Sequence, residues 1–476
     1  MQHDGLIAVV KRDCPTCALI APVLGQLARD GGLTVYSQDD PGFPESVPGV
    51  ADDTSLDVSY GLGIEIVPTL IRFDGGREAA RTFGWDRAEW RRVAGLPDLG
   101  GDLPEQRPGC GALNQEPARL IALKLKHGDD GLLSRHVNLG SEEDAIEACY
   151  ARDWTDGLPV VPPTPARVLA MLEGTARAPD EVLGDMPPNL NPATVEKIAV
   201  NAVMAGCRPE YMPVLLAAVE AVLDHAFGLH GVLATTRFVA PVVIVNGPVA
   251  RSIGMNAKGN ALGQGNRANA TIGRALQLAI RNIGGAKPGG VDRATLGNPG
   301  KYTYCFAEDE EGSAWTPLTA DRGLKAGANA VTVFAGYGLQ GVIDERGRTP
   351  EDIAATFATS LRAVDNVNKF PAPDVILVVC PEHERTLVAG GWDKARFKRE
   401  LLERLTVPAE EVMAGANGVQ EGVSPKRAGE RVAKWPEHGL IIVRAGGGAG
   451  KFSGIIAGFT PSNEHTSNPV TKEVRP

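Results

Sequence analysis

Cys14-Pro15-Thr16-Cys17 stands between an apolar run and a helix-patterned one, and that placement constrains the chain more than any other feature. The run before it, Leu6-Ile7-Ala8-Val9-Val10, reads as a buried strand, and residues 18–27 repeat their apolar positions at helical spacing. Two intervening residues bring the sulfurs within bonding reach at a helix start. There the unpaired N–H groups and the helix dipole favour the first thiolate, which is the reacting form. A lone Cys-x-x-Cys can also be half a zinc site. Among the eight His and the seven Cys of the chain, however, no matching Cys-x-x-Cys or His-x-x-x-His occurs. The pair points to reversible disulfide chemistry, and no metal or other cofactor is implied.

A second signal lies downstream. Residues 64–73 read as a strand interrupted near its start by Pro68, a placement that suits a cis Val67–Pro68 bond making a turn. Around it lie Tyr60-Gly61-Leu62-Gly63-Ile64, Pro22 inside the first helix, an Asp74-Gly75-Gly76-Arg77 hairpin turn, Gly84 and a helix over 86–94. With these features, residues 5 to about 95 resemble a thioredoxin domain. The resemblance implies that Cys14 is the attacking thiol, Cys17 the resolving thiol and Pro68 the cis-proline that shapes the substrate groove. Three departures stand out. Pro-Thr replaces the usual Gly-Pro between the cysteines, Asp13 replaces the family's tryptophan, and no acid lies near Ala8. An acid beside Cys14 is expected to raise its pKa against the helix dipole. Lack of the buried acid is expected to slow proton removal from Cys17.

The length of 476 residues allows two or three domains. The division expected is a thioredoxin-like domain over 1–96, a linker over 97–114, and a large domain over 115–476. An apolar content of 43% suffices for packed cores, while a net charge of −10 argues against nucleic-acid or anionic-membrane partners. The longest apolar run, Met212 to Val219, is cut by Glu220 and is too short to span a membrane. The first residues carry no basic region of a secretory signal, and the cysteines are scattered and odd in number. A cytoplasmic location with mostly reduced thiols is therefore expected, as is a homo-oligomer.

The linker holds Arg107-Pro108-Gly109-Cys110-Gly111-Ala112. Its glycines let the backbone expose Cys110 or approach a partner closely. Cys110 is either an inert loop thiol or a tethered partner of Cys14 and Cys17. Helices are expected over 116–127, over 141–150 with a Ser141/Asp144 capping box, over 165–173 capped by Thr164, over 192–205 and over 211–226. Cys207 and Arg208 sit where the last two meet, a corner that either binds a small anion or merely turns the chain, and Cys207 is the candidate after Cys110 for exchange with the pair. Cys149 and Cys305 read as core.

The tract 256–269 carries Asn256, Lys258, Asn260, Asn266, Arg267 and Asn269 just ahead of a helix over 270–283. It reads as a carboxylate- or phosphate-binding loop on a helix N-terminus, or as a set of turns. Strands and helices then alternate at 330–334, 350–364, 374–380, 394–405 and 439–443, which argues for a mixed α/β domain. Ligands in such sheets lie beyond the C-terminal strand ends. Two loops fall there. One holds His383 between Glu382 and Glu384, an acid/base set. The other, with Gly446, Gly448, Gly450, Lys451 and Ser453, suits a small anion. It fails the nucleoside-triphosphate pattern, because Ala445 replaces its first glycine and Phe452 follows the lysine. Glu308 and Glu310 share a strand face, either as a solvated end or as a base or metal ligands.

The tract from about 150 onward, together with 107–112, resembles a poorly characterised bacterial family with a Cys- or selenocysteine-Gly-Ser-Cys motif. Here the motif reads Cys110-Gly111-Ala112-Leu113, so its second thiol is missing and resolution by Cys17 or Cys14 is implied. The fold expected is α/β, an N-terminal thioredoxin fold followed by a larger mixed α/β domain. The function expected is thiol-disulfide exchange between the Cys14/Cys17 pair and a thiol of the large domain that acts on a small anionic substrate. An external thiol reductant or a thioredoxin reductase would supply electrons. Two alternatives stay open: a lyase or hydrolase, metal-assisted through His383, and a binding protein that recruits a partner.

Overall fold

The apolar run ahead of Cys14 forms the strand Gly5–Val10, at the centre of a five-stranded sheet. The computed structural model describes residues 3–29 and 32–475, in two compact units, Met1–Gly131 and Leu132–Pro476. In the first unit the sheet order is Ala51–Asp52, Leu33–Ser37, Gly5–Val10, Thr69–Asp74, Arg77–Phe83. Gly5–Val10 runs parallel to Leu33–Ser37 and antiparallel to Thr69–Asp74. The parallel pair needs a crossover, and the helix Pro15–Arg29 provides it. Ile7 to Val10, Ile20, Leu24, Leu70, Ile71, Trp85 and Trp90 bury themselves in one core. Gly75 and Gly76, both at positive φ, close the hairpin into Arg77–Phe83.

Residues 97–131 belong to this unit, where a linker was expected over 97–114. Gln106–Arg107 pairs with Trp85–Asp86, and Cys110–Gly111 pairs with Ile66–Val67. Buried Asn114 donates to the Ile64 carbonyl and accepts from Gln38. On the helix Pro117–His127, Lys126 and His127 both reach Asp57. A linker leaves its polar backbone to water. Here those groups find partners within the first unit, which moves the boundary to Gly131.

The second unit is built on a seven-stranded mixed sheet. Its order is Cys305–Ala307, Ala240–Asn246, Ala330–Ile343, Phe452–Gly458, Val375–Val379, Leu440–Arg444, with Val470–Glu473 also paired to Ala330–Ile343. Strand alternation sends Val243, Val245, Val333, Leu377 and Ile442 to one face, where helices such as Val195–Ala205, Arg267–Asn282 and Pro350–Arg362 pack. Val242, Ile244, Phe334, Ile376, Ile441 and Ile456 face the other way and meet Ala261, Tyr304 and Leu318 from connecting segments. The chain is thus a two-unit α/β protein. The helix expected from Ser141 begins later, at Ala145. Asp144 caps it by accepting from the N–H groups of Ile146 and Glu147, so no Ser141 capping box forms. Thr164 holds the cap position of Pro165–Leu172 without a side-chain hydrogen bond. Among the described residues, no single helix is long and apolar enough to cross a membrane.

Candidate functional site

Cys14 immediately precedes the helix Pro15–Arg29, and Pro15 opens that helix without a wasted N–H. The Cys17 N–H points back at Cys14 Sγ across 3.4 Å. On its other side Cys14 Sγ lies 3.6 Å from the Val67 carbonyl oxygen, and the Val67–Pro68 bond is cis. Both sulfurs are buried, at 1% and 0% exposure, and all seven cysteines are free thiols.

The two thiols are driven apart electrostatically. The Cys17 thiol donates to Cys14 and, with the Cys110 thiol and the N–H groups of Cys17 and Thr16, overcomes desolvation to hold Cys14 at about 5. Burial first, and then the neighbouring Cys14, push Cys17 far above the ordinary thiol range. The Val67 carbonyl contact requires a proton on Cys14 Sγ, so it belongs to the neutral form; the thiolate keeps its donors instead. The expectation that Asp13 would raise Cys14 is reversed. Asp13 is exposed, its N–H is engaged by Asp39, and the donors around the sulfur prevail.

Cys110 joins this pair. Its strand sets it directly across the antiparallel ladder from Val67, and its half-buried thiol packs on the core that holds Cys14 and Cys17. The segment is fastened on both sides. Thr16 Oγ1, inside the motif, donates to the Pro108 carbonyl at 2.7 Å, and Lys11 Nζ to that of Gly111 at 2.9 Å. The Ala112 N–H bonds the Glu65 carbonyl at 2.9 Å. Gly109 allows the approach, since a Cβ there would stand 2.7 Å from the Val67 oxygen. Desolvation and the Cys14 charge raise the Cys110 thiol.

Cys207 belongs to the second unit, where burial pushes its thiol up to about 12. It packs among Met204, Ala205 and Tyr211 as a core residue. The asparagine tract is a self-bonded loop. Asn256 donates to the Gly259 carbonyl, Asn260 to that of Gln264, Asn266 to that of Gly254, and buried Asn269 to those of Asn256 and Ala261. Asn266 also caps the helix Arg267–Asn282, and Arg267 turns away to the Gly206 carbonyl. Lys258 contributes its N–H to Asn256 Oδ1. Most of the expected anion donors are therefore occupied by the loop itself.

The glycine loop adjoins that tract through Gly446 N–H, which donates to the Ala257 carbonyl at 2.9 Å. Gly450 N–H takes the Glu382 carboxylate at 3.1 Å, Arg385 reaches the Gly448 carbonyl, and Lys451 Nζ holds the Gly347 carbonyl. An internal carboxylate thus sits where a small anion was expected. Ser453 turns away from the glycine loop. Its Oγ accepts from the Cys380 N–H at 2.9 Å and bonds His383 Nδ1 at 2.7 Å, while His383 Nε2 faces the Asp344 carbonyl at 3.3 Å. That carbonyl can only accept, so in the neutral ring Nε2 carries the proton and Ser453 donates to Nδ1. His383 is therefore not paired with Glu384, which binds Arg444 at 2.7 Å and the Ser313 hydroxyl at 2.5 Å.

At the same strand ends lies a buried polar cluster that the sequence reading missed. Arg444 bridges Asp309 at 3.0 Å and Glu384. Asn246 Nδ2 donates to Glu308 at 2.6 Å and to Glu310 at 2.7 Å. Glu308 is not a solvated strand end: it is 8% exposed, also accepts the Leu318 N–H, and has its pKa raised by burial. Asn246 and Arg444 were findable as the polar residues that end apolar strands at the carboxyl edge. Among the described residues, no group of three or more His, Cys, Asp or Glu side chains is arranged to hold a metal ion. A surface cleft of about 580 Å³ lined by Arg135, His136, Arg152 and Trp154 contains none of the candidate residues. No protein-family model and no curated protein matches this chain.

Proposed function

We propose that this protein is a thiol-disulfide oxidoreductase of thioredoxin-like type, with Cys14 as attacking thiol, Cys17 as resolving thiol and Cys110 as their resident partner. The observation that carries the reading is geometric: Cys14 Sγ at a helix start meets the Cys17 N–H at 3.4 Å and lies 3.6 Å from the Val67 carbonyl of a cis Val67–Pro68 bond, surroundings that lower the Cys14 pKa while burial raises that of Cys17. A poised thiolate beside a protonated thiol is what stepwise exchange needs. Cys14 attacks a sulfur, forms a mixed disulfide and expels a thiolate. Cys17 then gives up its proton, attacks Cys14 and releases the partner, leaving a Cys14–Cys17 disulfide. The order of the first unit's sheet, the cis Val67–Pro68 bond and the third thiol opposite Val67 support the same reading. Titration of the full chain against glutathione buffers, with mass mapping, tests it. A Cys14–Cys17 disulfide is expected in the wild type, and a Cys14–Cys110 disulfide in Cys17→Ser. Failure of Cys14 to enter any disulfide at any poise rejects the proposal.

One observation favours a second reading, hydrolysis in the large unit: the Ser453 hydroxyl donates to His383, and His383 is held by the Asp344 carbonyl. This is the nucleophile–base–orienter order. A fluorophosphonate that labels Ser453, and fails to label His383→Ala, supports it; an unlabelled Ser453 rejects it.

A further inference from the structure

Cys14 is the reactive sulfur, yet only 1% of its surface meets solvent. The cover is the chain's own Gln106–Gly111 region, which pairs at Cys110–Gly111 with Ile66–Val67 and at Gln106–Arg107 with Trp85–Asp86 in two short antiparallel ladders. Its fastenings come from residues around the motif itself, Thr16 to Pro108 and Lys11 to Gly111. Within this cover the sulfur that retains solvent exposure is Cys110, and it stands opposite Val67, the residue whose carbonyl touches Cys14 Sγ.

We infer that the Gln106–Gly111 segment is a built-in substrate that closes the groove to protein disulfides and makes Cys110 the port through which low-molecular-weight disulfides reach the Cys14/Cys17 pair. The inference rests on the exchange chemistry proposed above. The sequence of bonds balances. Cys110 attacks a small disulfide RSSR, forming Cys110–S–SR and expelling RS⁻. Cys14 attacks the Cys110 sulfur, forming the Cys14–Cys110 bond and expelling the second RS⁻. Cys17 attacks Cys14, forming Cys14–Cys17, and its proton passes to the departing Cys110 thiolate. The proton lost by Cys110 goes to the first RS⁻ and is replaced by that of Cys17, while the second RS⁻ takes from solvent the proton that the ionised Cys14 released to it, so RSSR is reduced to two RSH as the dithiol is oxidised. Small thiols drive the same steps backwards.

Tethering places Cys110 beside Cys14 at high effective concentration, an advantage a free small disulfide lacks. Rapid-mixing oxidation of the full chain by oxidised glutathione, with quenching and mass mapping, provides the test. Cys110→Ser, which keeps an O–H donor beside Cys14, is expected to slow formation of the Cys14–Cys17 bond by about a hundredfold. Oxidation of Cys110→Ser at the wild-type rate overturns the inference, and the proposed exchange chemistry survives. Absence of a Cys14–Cys17 disulfide in the wild type rejects both. A second variant guards against misfolding of the first: Thr16→Val combined with Lys11→Met removes both fastenings and keeps all three thiols. It is expected to reduce insulin disulfides that the wild type leaves intact; equal reduction by the two proteins also overturns the inference.

Discussion

Replacing Cys17 with alanine tests the electrostatics of the thiol pair most directly. Moving a thiol from its usual value near 8.5 to about 5 favours the charged form by roughly 5 kcal/mol. The Cys17 thiol is the largest contributor, ahead of the Cys110 thiol and the two N–H groups. A hydrogen bond to a charged group contributes about 1.5–3 kcal/mol, so its loss should raise the Cys14 pKa by roughly one to two pH units. Thiolate absorbance in the ultraviolet, followed against pH and taken as the difference from Cys14→Ala protein, isolates this sulfur. The subtraction is needed because the Cys380 thiol is also lowered. Cys17→Ser retains an O–H donor and should stay close to wild type. If Cys17→Ala titrates where the wild type does, donation from Cys17 is not what stabilises the thiolate.

The same pKa has a consequence for folding. A depressed folded-state value contributes stability above the unfolded thiol range and loses it as pH falls, so reduced protein should become more resistant to urea from pH 5 toward 8.5, with the slope diminished in Cys14→Ala. Gly109→Ala would place a methyl 2.7 Å from the Val67 oxygen, so the covering segment should lift and Cys14 should alkylate faster at neutral pH. Arg444→Met leaves Asp309 and Glu384 buried without their cation, and denaturant unfolding should report a loss of about 3–5 kcal/mol. Asn269→Ala removes the acceptor of the Asn256 N–H and the donor to two carbonyls, with an expected cost of about 1–3 kcal/mol by the same measurement.

Contiguous residues were enough to place the strand before Cys14, the helix after it, the cis bond at Pro68 and the strand–helix alternation of the large unit. Each is encoded by a repeat of apolar positions or by the backbone limits of proline, and both act over a few residues. The position of Cys110 was not encoded that way. Two-residue strands such as Ile66–Val67 and Cys110–Gly111 have no periodicity to read, and only their pairing turned an apparent linker into the cover of the thiol site. The same holds for Asn246, Asp309, Glu384 and Arg444, whose partners come from separate strand ends. The asparagine tract was conspicuous, but whether its amides face a ligand or their own backbone depended on how the loop closed. Local pattern determines which elements form. Burial, which forces each polar group to find a partner from whatever the fold brings near, decides what the side chains do.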